Sequence, residues 1–157
     1  PAVGINSKMN ELQAALGLCL VDAVAGEKLK RRAVAEVYDQ HLADLLGVTR
    51  PKLADPAVDS LQYYCLRIDP QEAGIARDAV YEGLKHYNVF ARRYFYPLCS
   101  DYGPYRDLPS SARENLPVAN RVGEQVLCLP LFGDLGVDAA EQVCAALRAV
   151  MTGPDRR

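Results

Sequence analysis

Apolar residues recur at helical spacing from the start of the chain. Met9, Leu12, Leu16, Cys19 and Val24 predict a helix from about Lys8 to Ala25, with Ser7 as its N-cap. Ala14, Ala15 and Gly17 give this helix a face of small residues, which implies burial or an interface. Gly26 then separates it from a second helix, written by Leu29, Ala33, Val37, Leu42 and Leu45 against Glu27, Lys28, Lys30, Arg31, Arg32, Glu36 and Asp39. The charged set reads as a solvated face. Gly47 and Pro51 end the pattern, and residues 51–60 read as a loop.

The period then changes. Leu61 to Ile68 is rich in aromatic and β-forming residues and predicts a strand. Arg77 to His86, carrying Val80, Tyr81 and Leu84, predicts a short helix, and Phe90 to Tyr96 a second extended run. Residues 97–117 hold four prolines and read as loop. Val126 to Leu129 predicts a short apolar strand, and Val137, Ala140, Val143, Cys144, Leu147 and Val150 a final helix. The order α-α-β-α-β-loop-β-α describes an α+β fold, with long N-terminal helices followed by a small, mostly antiparallel sheet and flanking helices. The expected division is a helical segment over 1–46, an α+β domain over 47–151 and a frayed tail over 152–157. No internal repeat or low-complexity segment interrupts this.

Composition narrows the classes. The chain has 157 residues, is 50% hydrophobic and 24% charged, and carries a net charge of −2, which excludes disorder as its main state. No run reaches the ~18 apolar residues of a membrane span, and no signal-peptide pattern opens the chain. The expectation is therefore a cytoplasmic protein with no membrane partner. The mildly acidic balance argues against nucleic acid as a partner. Five widely spaced cysteines without a CxxC pair, and only two histidines, argue against a metal site or a disulfide framework. Starting at Pro1 without a methionine, the chain reads as a piece of a longer polypeptide.

The densest candidate chemistry is Arg92-Arg93-Tyr94-Phe95-Tyr96-Pro97. Guanidinium forks suit phosphate or carboxylate, and interleaved rings can stack on a base or sugar. Strand alternation would place Arg92, Tyr94 and Tyr96 on one face and Arg93 and Phe95 on the other. An edge strand with solvated arginines and rings in the core is the other reading. A cysteine nucleophile would need Cys99 or Cys65 beside His86 or His41, and no local signature supports it. Schiff-base chemistry needs a desolvated lysine, yet Lys28 and Lys30 lie in a charged helical run and Lys52 in a loop, with Lys8 and Lys85 less constrained. No GxGxxG, P-loop or HExxH is present. The residues alone describe an α+β domain with candidate groups for an anionic ligand.

Gly4-Ile5-Asn6-Ser7-Lys8-Met9-Asn10-Glu11-Leu12-Gln13-Ala14-Ala15-Leu16-Gly17-Leu18 closely resembles the G-x-N-x-[RK]-M-x-E-x-x-A-A-x-G-L segment of the DegT/DnrJ/EryC1/StrS aminotransferases. The likeness continues through Lys30-Arg31-Arg32, Tyr38, Tyr63-Tyr64, Arg77-Asp78, the Ala91 to Leu98 segment, Leu116 to Ala119 and Val126 to Leu131. It spans essentially the whole chain. The resemblance implies the C-terminal small domain of a fold-type I, pyridoxal-phosphate (PLP) enzyme. The branch it most resembles moves an amino group, usually from glutamate, to a dTDP-linked 4-keto or 3-keto 6-deoxyhexose for polysaccharide and O-antigen biosynthesis. It implies a homodimer, a nucleotide-sugar substrate and an amino-acid donor.

The resemblance also implies that the Schiff-base lysine lies upstream, so that this chain holds no catalytic residue and is inactive alone. By the same likeness, Asn6 and Lys8 are the cofactor-binding candidates, Asn6 reaching the phosphate held by the other subunit. Arg93, Tyr94 and Tyr96 match the family's substrate-facing segment. Cys99 stands where many relatives have histidine, and Ser7-Lys8 where many have Tyr-Arg. Two alternatives remain open: a dehydrating relative, and a non-catalytic sugar-nucleotide-binding or interaction domain.

Overall fold

The computed structural model describes residues 7–153. Helix α1 (Glu11–Val21) is followed almost at once by α2 (Val24–Leu42), then β1 (Val48–Thr49), β2 (Tyr64–Ile68), α3 (Pro70–Ala73) and α4 (Arg77–Lys85). After a long segment of 3-10 turns come α5 (Pro117–Gln125), β3 (Val126–Leu129) and α6 (Gly136–Thr152). The three strands form one antiparallel sheet in the order β1-β2-β3, with Val48 opposite Ile68 and Tyr64 opposite Leu129. The α+β expectation holds, with the small antiparallel sheet it called for.

Alternation explains how the sheet is used. Tyr64, Leu66 and Ile68 of β2 and Leu127 and Leu129 of β3 are buried in the core, while Cys65 and Arg67 point to the opposite face. Helices α2 and α6 pack against each other and bring Val34, Tyr38, Cys144 and Leu147 to that core. Tyr38 is fully buried and its hydroxyl donates to the Pro130 carbonyl at 2.8 Å. Burial pushes the Tyr38 phenol above its ordinary pKa. Helix α5 contacts β2, where Arg67 donates to Gln125 Oε1 at 2.6 and 3.2 Å.

Several boundaries differ from the sequence expectation. Helix α1 begins at Glu11, with Asn10 rather than Ser7 as N-cap. Asn10 and Gln13 exchange side-chain-to-backbone hydrogen bonds of 2.9 and 3.1 Å, a reciprocal capping box. The break between the first two helices falls at Asp22–Ala23, and Gly26 lies inside α2. The Glu27 N–H already bonds the Ala23 carbonyl at 3.0 Å, so the helical ladder spans the glycine despite its cost of about 1 kcal/mol. At Gly47, φ is +74° and a Cβ would collide with the Ala73 backbone; only glycine fits that turn.

Phe90 to Tyr96 is not a regular strand. Only Arg92 pairs, with Cys128, and the Tyr96 N–H turns back to the Arg93 carbonyl at 2.7 Å. Helix α5, with Pro117 in its first turn, is absent from the sequence reading, as are α3 and β1. The small-residue face of α1 meets nothing among the described residues, where no α1 residue is buried. Of the expected frayed tail over 152–157, Thr152 instead closes α6 and the Gly153 N–H bonds the Ala149 carbonyl at 2.8 Å, while residues 154–157 lie outside the described residues.

Candidate functional site

Helix α4 begins without a side-chain cap at Ala76, and an acidic residue in the first turn complements the helix dipole. Asp78 fills that place. Its Oδ1 accepts from Arg77 Nε at 2.7 Å and from Arg93 Nη1 at 3.1 Å. Arg77 is only 2% exposed, and its Nη1 donates to the Val126 carbonyl at 2.6 Å, tying α4 to the start of β3. Tyr96 lies between the two guanidiniums, 5.1 Å from that of Arg77 and 5.6 Å from that of Arg93, while Tyr81 sits 4.6 Å from Arg93. Two cations share one carboxylate oxygen, so the cluster keeps an uncompensated positive charge.

A few ångströms of chain away, Arg92 exchanges both backbone hydrogen bonds with Cys128, at 2.7 and 2.9 Å. Its guanidinium donates to the Tyr94 hydroxyl. Tyr94 stacks on Phe95 with centroids 4.8 Å apart, and Tyr63 stands edge-on to both. Tyr63 lines two hollows. One, of about 330 Å³, is lined by Gln62, Tyr63, Phe90, Arg92, Tyr94 and Phe132. The other, of about 770 Å³, is lined by Asp39, Arg50, Lys52, Asp59, Tyr63 and Cys65.

In the larger hollow Arg50 is already engaged. It donates to Asp39 at 2.5 Å and Asp59 at 3.0 Å and lies 4.6 Å over the Tyr64 ring. The Tyr64 hydroxyl donates to the other Asp39 oxygen at 2.8 Å. Burial, and then that hydrogen bond to Asp39, push the Tyr64 phenol above its ordinary value.

Of the sequence-derived candidates, Arg93 and Tyr96 are brought together and Tyr94 sits with Arg92 and Tyr63. The expected common face of Arg92, Tyr94 and Tyr96 is therefore corrected: the turn at Arg93–Tyr96 sends Tyr96 to the Arg77–Arg93 side. Lys8 is exposed ahead of α1 and makes no ion pair among the described residues. Asn6 lies outside the described residues. Arg77, Asp78, Tyr81 and Tyr63 were not singled out as site residues; the pairing of Arg77-Asp78 at a helix start was the available signal. Cys65 neighbours Cys128 rather than an imidazole. No group of three His, Cys, Asp or Glu side chains that could hold a metal occurs among the described residues, and none of their helices is long and apolar enough to cross a membrane.

The described lysines do not fit a Schiff-base role. Lys30 is paired with Glu27 and Asp134, and Lys85 with Glu82. Lys8 and Lys52 are exposed, and Lys28 is half-exposed on a solvated helix. These residues alone do not hold a PLP group.

Comparison with known proteins gives a consistent picture. The chain is 36% identical over 150 residues to an Escherichia coli dTDP-4-amino-4,6-dideoxy-D-glucose transaminase, covering 96% of this chain and 40% of that protein. It is 27% identical over 154 residues to the spore coat polysaccharide biosynthesis protein SpsC of Bacillus subtilis, covering 97% and 39%. The crystal structure of DesI in the presence of its TDP-sugar product superposes with a TM-score of 0.85 at 37% identity, over 96% of this chain and 38% of that one. DesV of S. venezuelae in complex with a ketimine intermediate gives 0.78 at 25% identity, over 98% and 40%. The chain thus spans about 40% of the length of the curated relatives it matches. The DegT/DnrJ/EryC1/StrS aminotransferase family matches residues 1–148, nearly the full sequence, and with the shared fold this establishes that the chain belongs to that family.

Proposed function

We propose that the chain is the C-terminal part of a PLP-dependent nucleotide-sugar aminotransferase, and that its role there is to hold the sugar nucleotide. The observation that carries this is the Arg77–Asp78–Arg93 cluster with Tyr96, set beside the Tyr63–Tyr94–Phe95 group. Its similarity to a dTDP-amino-sugar transaminase and to DesI points to a dTDP-linked keto-6-deoxyhexose as substrate. Glutamate is the proposed donor, polysaccharide synthesis the setting, the cytoplasm the compartment and a homodimer the working form.

In this reading the guanidinium of Arg93 meets the diphosphate, since a cation with a residual positive surplus attracts a dianion and its planar fork matches phosphate oxygens. Tyr96 and Tyr94 offer ring faces to the sugar or base. Asp78 holds the Arg93 fork in place, and Arg77 fixes Asp78 to the body of the domain. Asn6 and Lys8 are assigned, by the family resemblance, to the phosphate of a cofactor whose lysine anchor lies outside this chain. PLP supplies the electron sink for nitrogen transfer when bound. The helical 1–46 and α+β 47–151 portions are read as the connecting helices and the small domain.

The test is made on the polypeptide from the complete reading frame, loaded with PLP. Release of 2-oxoglutarate from glutamate beyond one equivalent per cofactor only when a dTDP-4-keto-6-deoxyhexose is present, with the amino sugar formed in equal amount, establishes the transferase. Binding of dTDP without any nitrogen transfer instead leaves a non-catalytic sugar-nucleotide-binding domain or a dehydrating relative.

A further inference from the structure

Cys65 on β2 and Cys128 on β3 are direct partners in the antiparallel register. Cys128 spends its backbone N–H and carbonyl on Arg92, so toward β2 it occupies a non-hydrogen-bonded position. Opposed Cα atoms at such a position lie about 4.5 Å apart with side chains converging, within the roughly 4.4–6.8 Å range that a disulfide spans. The two sulfurs are 3.2 Å apart. Forming an S–S bond draws them together by about 1 Å, a side-chain adjustment that leaves the strands where they are.

Two buried thiols can serve simply as small core residues. These two sit on the sheet face away from the core, and Cys65 is half-buried and lines the 770 Å³ hollow. A small reagent can reach it there. Arg50 and Lys52 line the same hollow with Asp39 and Asp59, so its charges balance and a small polar reagent meets no net repulsion there. The hydrogen bond with Cys128 lowers the Cys65 thiol to about 7; burial and the Asp59 carboxylate oppose this, and Arg50 assists it. The same hydrogen bond, with burial, pushes Cys128 up.

We propose that Cys65 and Cys128 form a reversible dithiol–disulfide couple, oxidised by a low-molecular-weight disulfide, with Cys65 as the attacking sulfur and Cys128 as the resolving one. The Cys65 thiolate attacks one sulfur of the small disulfide, whose S–S bond breaks and releases one thiolate, protonated from solvent. Cys128 then attacks the Cys65 sulfur, the mixed disulfide breaks, and the second small thiolate leaves with the Cys128 proton. One small disulfide is reduced to two thiols as the protein pair is oxidised. The couple depends on strand register alone and stands whether or not the aminotransferase reading does.

The experiment treats the folded C19S/C99S variant, which lacks the two exposed thiols, with oxidised glutathione. The expected result is loss of two free thiols with no glutathione mass retained. Cleavage after Lys and Arg and then after Glu, without reduction, should give residues 53–67 linked to 125–141, which separates Cys128 from Cys144. Adding Cys128→Ala should instead leave one glutathione on Cys65, removable by dithiothreitol. A stable adduct on Cys65 with Cys128 intact, linkage to Cys144, or thiols that react only in urea would each overturn the proposal.

Discussion

Asp78 sets the direction in which Arg93 points. One carboxylate oxygen holds the Arg93 fork at 3.1 Å and is itself held by the buried Arg77 at 2.7 Å, so a surface guanidinium is positioned from the interior. Asp78→Asn keeps the shape but loosens that grip. Because Asp78 is 58% exposed, stability should change by no more than about 1 kcal/mol. Affinity for dTDP, measured by calorimetry on the PLP-loaded full-length protein, should fall roughly three- to tenfold, about 0.7–1.4 kcal/mol. An unchanged affinity would remove Arg93 from the substrate site.

Arg77 is the opposite case. Arg77→Met removes a buried donor from the Val126 carbonyl and leaves Asp78 with Arg93 alone. A loss of about 2–4 kcal/mol in urea unfolding is expected. A loss below 1 kcal/mol would mean that α4 is held to β3 by apolar packing alone.

Stability should decline in alkali. Tyr38 and Tyr64 both have folded-state values raised above their ordinary 10. A raised folded value means that the neutral phenol is favoured by folding, so this stabilisation is full below pH 10 and is lost as pH rises above it. Tyr64→Phe and Tyr38→Phe together should flatten the fall in melting temperature between pH 9.5 and about 11. An equally steep fall in the double variant would assign alkaline unfolding to other groups.

Cys65 should titrate early. With its thiol near 7, iodoacetamide modification should be half-maximal near neutrality. Cys128→Ala removes the supporting hydrogen bond and should move that midpoint toward the ordinary thiol value of about 8.5. Coincident profiles in the two proteins would show that Cys128 does not assist the thiolate.

Long periodic elements were legible from the amino acids because burial wrote them. The apolar stripe of α6, the alternation of β2 and the second helix all carry core residues at the period of their own geometry. The capping box was also written in the sequence, but Ser7 offered a competing cap three residues earlier. Helix α5 was hidden because Pro117, a favoured first-turn residue, followed a proline-rich stretch and read as its continuation. Arg93 and Tyr96 were found from composition and resemblance, whereas Arg77, Asp78 and Tyr81 belong to another helix. Only the fold brings that helix to the turn after Arg92. The Cys65–Cys128 pairing is likewise a matter of register, which no spacing along the chain encodes.

Helix α1 has eleven residues, apolar on every side, none of them buried among the described residues. Leu12 and Leu18 are 83% and 75% exposed. A helix of this length is marginal in water even with a good cap, and among the described residues its side chains find no burial beyond that cap. Its amides should therefore exchange with deuterium within seconds, while those of β2, β3 and α6 wait for global opening. The described residues carry their own stability gradient, loosest at α1, and any surface that later covers α1 would slow that exchange before it changed anything in the core.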